Sequence, residues 1–224
     1  MSRVRELFEH PRKPDPRIQE PFLMPVENVF SIKGRGTIVV GKVKQGTLRR
    51  GEEVEIVGLR PVPIKTVVTT FEGFITYMEF IQPDDSFGLL LSAISKNEIE
   101  RGIVLAFPGS ISAHSLLRCS FRRLSLSEID FDSKITASAF SINYPERFVG
   151  QPQINIHYRD FDCTITDVQN NPIDWIQLKP DDILELLVRV AKPIALQTGW
   201  NFAIKENLQS GNNFIGIGTI TELI

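Results

Sequence analysis

Three pairs of aspartates supply the carboxylates that general acid–base chemistry requires, and each pair lies in a polar segment. The pairs are Asp84-Asp85, Asp160 with Asp162, and Asp181-Asp182. Paired aspartates in polar turns are far more often solvated turn residues than catalytic dyads. We therefore predict turn positions, and no catalytic role, for these three pairs.

The other reactive side chains are scattered along the chain. The three histidines have no zinc-ligand spacing, and Cys119 and Cys163 are too few and too far apart for a disulfide framework. Reduced thiols in a cytosolic protein are the favoured interpretation. Ser125 and Ser127 have no base nearby in the sequence. His157 has two interpretations, a surface position on a strand, which we favour, or a contact with a partner.

A nucleotide-hydrolysing protein needs a phosphate-binding loop of the form G-x-x-x-x-G-K-[ST], and the sequence has no complete run of this kind. A guanine-reading Asn-Lys-x-Asp run is missing as well. The glycine-rich strings at 34–36 and 216–218 fit hairpins and strands. We therefore predict a protein with no catalytic residues, metal or cofactor, and expect it to bind no GTP.

Composition limits the possible partners and the compartment. The chain is 42% hydrophobic and 23% charged, which is typical of globular proteins. Its 224 residues are enough for one large domain or two of ordinary size. Because the formal net charge is −2, any contact with RNA must come from a local patch. No apolar run has the length to span a membrane, so we expect a cytoplasmic protein without a membrane partner.

Residues 22–58 alternate apolar and polar side chains between glycines, and the pattern continues through the chain. Alternation with period two, broken by glycine, predicts short half-buried strands joined by tight turns. Regular spacing of such strands indicates an all-β barrel or sandwich. The later candidate strands are residues 64–71, 87–91, 103–107, 116–126, 135–142, 154–158, 163–168, 183–190, 200–205 and 214–221.

Five pieces follow one another in a specific order: the entry at Pro21–Pro25, the strand Val29–Ile32, the hairpin Gly34–Gly36, the strand Gly51–Ile56 and the run Asn97–Gly102. In this order they resemble the second domain of elongation factor Tu and its translational-GTPase relatives. Later fragments resemble the third domain, at residues 148–150, 152–153, 179–182, 193–195, 202–206 and 216–218.

The resemblance implies two antiparallel β-barrels without the nucleotide-binding domain. The expected organisation is an N-terminal arm or linker at 1–20, a first barrel at 21–110 and a second barrel at 111–224.

In the resembled family the second domain holds the acceptor end of aminoacyl-tRNA. The resemblance places the cleft for the terminal adenosine at Ile32, Ile38, Glu72 and Leu90, with Phe30 on the aminoacyl side. The alternative is that the apolar members simply form the barrel wall, whereas Glu72 is hard to explain by packing.

The aminoacyl side departs from the family at three positions. Asn28 stands where the resemblance implies an acidic residue, Ile75 replaces an arginine, and Ser86 replaces an asparagine. Loss of the carboxylate removes a charge-assisted hydrogen bond of roughly 1.5–3 kcal/mol. We expect little selectivity for the charged form of the tRNA.

Two further regions are candidates for contact with RNA. The resemblance places Gln153 near the tRNA stem, while the longer loop at 207–213 replaces a compact loop that bears glycine and arginine. A basic cluster of Lys42, Lys44, Arg49 and Arg50 either faces RNA or protects solvated strand edges from pairing.

Two functions from different classes remain. The first is a non-catalytic, translation-associated binding protein that engages tRNA acceptor ends, aminoacyl-tRNA or translation partners. The second is a protein-interaction mimic of elongation factor Tu, a decoy or immunity protein that contacts proteins which bind the true factor. A truncated gene product without a retained role is the third and least specific possibility.

Overall fold

The structure is a computed structural model, and it describes residues 15–73, 78–124, 151–175, 177–208 and 211–224. The side chains of 151, 206–208 and 211–213 are outside this description. The predicted strand at 135–142, most of the predicted N-terminal arm, Ile75, and the serines at 125 and 127 also lie outside the described residues.

Six strands close the first barrel in the order β1-β2-β7-β5-β4-β8. Two short strands, β3 and β6, form a separate two-stranded sheet, and 3-10 turns occupy Pro16–Gln19 and Lys96–Glu98. The strand bounds are β1 Leu23–Ile32, β2 Gly36–Lys42, β3 Leu48–Arg49, β4 Glu53–Val57, β5 Ile64–Glu72, β6 Phe80–Ile81, β7 Ser86–Leu91 and β8 Val104–Ala106.

A second closed barrel has the order β10-β11-β12-β9-β14-β13. The prediction of an all-β fold with two barrels is therefore confirmed. The strand bounds are β9 Ser112–Arg123, β10 Gln151–Ile156, β11 Arg159–Asp167, β12 Ile183–Leu196, β13 Asn201–Leu208 and β14 Gly211–Leu223.

Two compact units divide the chain. The first comprises the described residues up to 55 together with 65–100 and 105–110. The second comprises 56–64, 101–104 and the described residues from 111 to the end.

Alternating burial along the strands builds each core. In β11, for example, Phe161, Cys163 and Ile165 are buried while the residues between them face solvent. Cys119 of β9 belongs to the same core, and both cysteines are free thiols. Desolvation raises the pKa of each thiol to about 12, so both remain protonated at neutral pH.

One local prediction is wrong, because His157 lies in a turn and not on a strand. Ile156 pairs with Arg159, which leaves His157 and Tyr158 as a two-residue hairpin between β10 and β11. Their φ angles are 52° and 63°, the left-handed conformation that such a turn requires. The ring of His157 lies 2.7 Å from the carbonyl oxygen of Ala195 and makes an edge contact with Trp200.

Candidate ligand-binding surface of the first barrel

The β1–β2 hairpin positions the first predicted site residues. Phe30 pairs with Ile38, and Ile32 pairs with Gly36 beside the hairpin tip. At the tip, Gly34 and Gly36 have φ angles of 78° and 121°, and the backbone N–H of Arg35 donates to the carbonyl of Ile32 at 3.0 Å. The glycines are needed here because other residues rarely adopt positive φ.

Three predicted cleft residues form one row across three adjacent strands. Ile38 of β2 pairs with Phe30 of β1 on one side and with Leu90 of β7 on the other. Side chains at directly opposed positions share a face of the sheet and lie in contact range. The face is the outer one, since Phe30 and Ile32 are 48% and 37% exposed while Val39 and Leu89 on the opposite face are fully buried.

Gly88 brings Glu72 to the same face. Gly88 of β7 pairs with Glu72 at the end of β5. A Cβ atom at position 88 would lie 3.0 Å from Cγ2 of Ile38 and 3.3 Å from Cβ of Glu72, so the glycine lets these two side chains approach each other. Ile38 is only 5% exposed and forms the floor of the surface.

The five predicted cleft residues therefore lie together. We call this surface the cleft, and its members are Phe30, Ile32, Ile38, Glu72 and Leu90.

The carboxylate of Glu72 has a partner that the sequence did not reveal. The Nη2 atom of Arg35 donates to Oε1 of Glu72 and forms an ion pair with it, and both side chains remain partly exposed. Arg35 lies at the hairpin tip, 37 residues from Glu72 in sequence. The strand order β1-β2-β7-β5 brings the two residues together. In the sequence, the only hint of the position of Arg35 is the Gly34-Arg35-Gly36 turn, which places it at a hairpin tip.

Neutral side chains occupy the two described positions at which the aminoacyl side departs from the family pattern. Asn28 is exposed, and its Oδ1 accepts a hydrogen bond of 2.9 Å from the backbone N–H of Val29. Ser86 is exposed at the start of β7, opposite Lys42.

The predicted basic cluster falls into different environments. Lys42 is ion-paired with Asp84 at 3.0 Å, and Arg17 approaches the same carboxylate at 2.5 Å. Hydrogen bonds from Arg17 and then Lys42 lower the pKa of Asp84 to about 2.

The other three basic residues have no such carboxylate partner among the described residues. Lys44 is exposed, and its backbone N–H donates to the carbonyl of Leu23. Arg49 and Arg50 instead line a surface depression of about 480 Å³ together with Met78 and Glu79.

Gln153 lies in a polar network on the second barrel. Its Nε2 donates to Oδ1 of Asp162 at 2.7 Å, and its other cross-strand neighbour is the buried Lys205. Lys205 donates to Asp160 at 2.7 Å and lies 5.0 Å from the centre of the Phe214 ring. The contact of Gln153 with a tRNA stem stays a prediction.

The aspartate pairs divide between turns and a strand. Asp85 and Asp182 accept backbone hydrogen bonds from residues three positions earlier, as expected in turns. The prediction is wrong for Asp160 and Asp162, which lie on β11 and accept hydrogen bonds from Lys205 of β13 and Gln153 of β10. Among the described residues, no group of histidine, cysteine, aspartate or glutamate could hold a metal ion.

The site thus consists of an apolar row on the outer face of a closed β-barrel, with the carboxylate of Glu72 beside it. Residues 36–106 match the family model described as Elongation factor Tu domain 2. The match runs from β2 to the end of β8 and includes Ile38, Glu72 and Leu90, so the resemblance predicted for the first barrel is confirmed. No helix in the described part of the chain has the length and apolar character needed to cross a bilayer.

Proposed function

We propose that this protein is a non-catalytic, cytoplasmic binding protein of the translation apparatus that holds the acceptor end of tRNA in the cleft. The observation that supports this proposal is the convergence of four apolar side chains and one carboxylate on the outer face of a barrel of the elongation factor Tu domain 2 type.

The chemistry of the cleft suits a terminal nucleoside. The base packs against Ile38 and Leu90 with Phe30 at the rim, and stacking of one base on an aromatic side chain contributes about 1–3 kcal/mol. Glu72 accepts hydrogen bonds from hydroxyl or amino groups of the ligand, because an ionised carboxylate is an acceptor only. Arg35 holds that carboxylate in place.

Neutral Asn28 and Ser86 give an α-ammonium group no charged partner. Charged and uncharged tRNA are therefore expected to bind with similar affinity.

The test is a binding titration at physiological salt with intact tRNA and with the same tRNA lacking its terminal adenosine. We expect removal of the adenosine, or the substitution Glu72→Ala, to weaken binding by roughly fivefold or more. Glu53→Ala is the matched control, because Glu53 is an exposed, ion-paired glutamate of the same barrel. Equal affinity for both tRNAs would contradict the proposal.

The exposure of Phe30 and Ile32 also favours the second candidate, a protein-interaction mimic, because apolar residues at the surface suit a protein contact. The test is competition between this protein and elongation factor Tu for a purified protein that binds the factor. Phe30→Ala should abolish the competition if this candidate is correct. Tight RNA binding without competition would exclude it.

A further inference from the structure

The two-stranded sheet of β3 and β6 borders the depression lined by Arg49, Arg50, Met78 and Glu79. Leu48 pairs with Ile81, and Arg49 pairs with Phe80. The volume of about 480 Å³ lies in the range of small-ligand sites, roughly 300–1,000 Å³. None of these residues belongs to the cleft.

An aromatic ring and a guanidinium are held together at this place. The guanidinium carbon of Arg49 lies 5.5 Å from the centre of the Phe80 ring, within the range of a cation–π contact. The backbone N–H of Arg49 donates to Glu52 at 2.7 Å, which fixes the turn after β3. Phe80 is still 41% exposed, so the ring is available to a ligand.

The second guanidinium, that of Arg50, is only partly used. Its Nη2 donates to the carbonyl of Met78 at 3.4 Å, and a guanidinium has five N–H donors. Within the described ranges neither Arg49 nor Arg50 has an ion-pair partner, whereas Arg17 and Arg35, the other described arginines of the same unit, are both paired with carboxylates. Among the described lining residues Glu79 is the acidic one, so the two arginines give this described lining a positive balance.

We propose that this depression binds one nucleotide of single-stranded RNA, with the base on Phe80 and the phosphate at Arg50. Planar guanidinium groups match phosphate geometry, and a base stacks on any exposed aromatic ring. An acidic peptide would use the arginines but not the ring. The site requires no terminal adenosine and therefore goes beyond the acceptor-end proposal.

The experiment is fluorescence anisotropy of a labelled, unstructured oligouridylate, which has no acceptor end. Arg50→Ala and Phe80→Leu should each weaken binding by roughly fivefold or more, and Phe80→Tyr should keep it because the ring is retained. Lys65→Ala is the control for loss of an exposed cation. Arg50→Ala should also reduce the slope of log K against log salt by about 0.7, while Phe80→Leu leaves the slope unchanged.

Competition with uridine 5′-monophosphate tells whether the ligand is a nucleotide within an RNA strand or a free nucleotide. If uridine 5′-monophosphate displaces the oligouridylate only at a large excess, the ligand is an RNA strand. If it displaces the oligouridylate at a comparable concentration, the ligand is a free nucleotide and the proposal of an RNA strand is overturned. The proposal is also overturned if the parent protein does not bind the oligonucleotide, or if Arg50→Ala and Phe80→Leu bind it as the parent does. Glu53→Ala should leave oligouridylate binding unchanged. The dependence of tRNA binding on the terminal adenosine is measured separately, so failure of this site and failure of the cleft are distinguishable.

Discussion

At the scale of single residues, the ion pair between Arg35 and Glu72 determines how the carboxylate of the cleft is held. An ion pair between partly exposed side chains contributes little to stability, about 0–1 kcal/mol, because solvent and salt screen it. Such a pair opens at small cost when a ligand needs the carboxylate. The contact therefore orients Glu72 without locking it.

We predict that Arg35→Ala lowers the free energy of unfolding by no more than about 1 kcal/mol. The measurement is urea unfolding at low and physiological salt, with Lys65→Ala as the matched loss of an exposed, paired cation. A loss of several kcal/mol would mean that the hairpin tip depends on this pair for its fold.

Asp84 makes the stability depend on pH in the acid range. Its folded pKa of about 2, set first by Arg17 and then by Lys42, lies below the unfolded value near 3.9. The folded state thus binds fewer protons, and the stabilisation is complete above about pH 4 and is lost as the pH falls through about 2.

Asp84→Asn should therefore flatten the pH dependence of unfolding in this window, measured by urea titration at several pH values. Carboxyl NMR of the parent checks the pKa directly. An Asp84 that titrates near 3.9 would contradict the assignment.

The hairpin between β10 and β11 shows, at the scale of elements, what alternation cannot predict. Period-two patterns located the strands at 64–71 and 87–91 nearly to the residue. The turn at His157 and Tyr158 was missed because neither residue is typical of a two-residue hairpin. Contacts with Ala195 and Trp200, far along the chain, help to fix it, and no local pattern contains them.

His157→Ala should lower the free energy of unfolding by about 1–3 kcal/mol, since it removes the hydrogen bond to Ala195 and leaves a positive φ. His157→Asn should cost less, because asparagine tolerates the left-handed conformation. Urea unfolding of both variants provides the comparison. Equal losses would assign the effect to the lost ring contacts alone.

The residues of the cleft could be predicted only from the family resemblance, which assigns them to positions on particular strands. The resemblance, and not the alternation, brought Ile38, Leu90 and Glu72 into one cleft, because the order β1-β2-β7-β5 is set by long-range pairing. The Arg49–Phe80 contact was not predictable, since a strand pair of two residues each has no readable period.

At the scale of the whole molecule, closure of both barrels removes most exposed strand edges. For Lys42 this weakens the alternative in which the basic cluster protects edges from pairing. Arg49 lies on β3, whose two-stranded sheet is not closed, so the alternative stands there. Lys42, on a strand that pairs on both sides, is instead held by Asp84.

The only two cysteines of the chain are buried in the second barrel, and their thiols are protonated at neutral pH. A thiol-specific dye reacts with the exposed thiolate, so labelling should be slow in the native protein and fast in urea. A fast reaction in native buffer would contradict the burial of these side chains.

These thiols give the protein a built-in reporter of local opening. Because the first barrel has no cysteine, the labelling rate reports local opening of the second barrel alone. Opening of the second barrel can thus be timed in the intact chain without a contribution from the first.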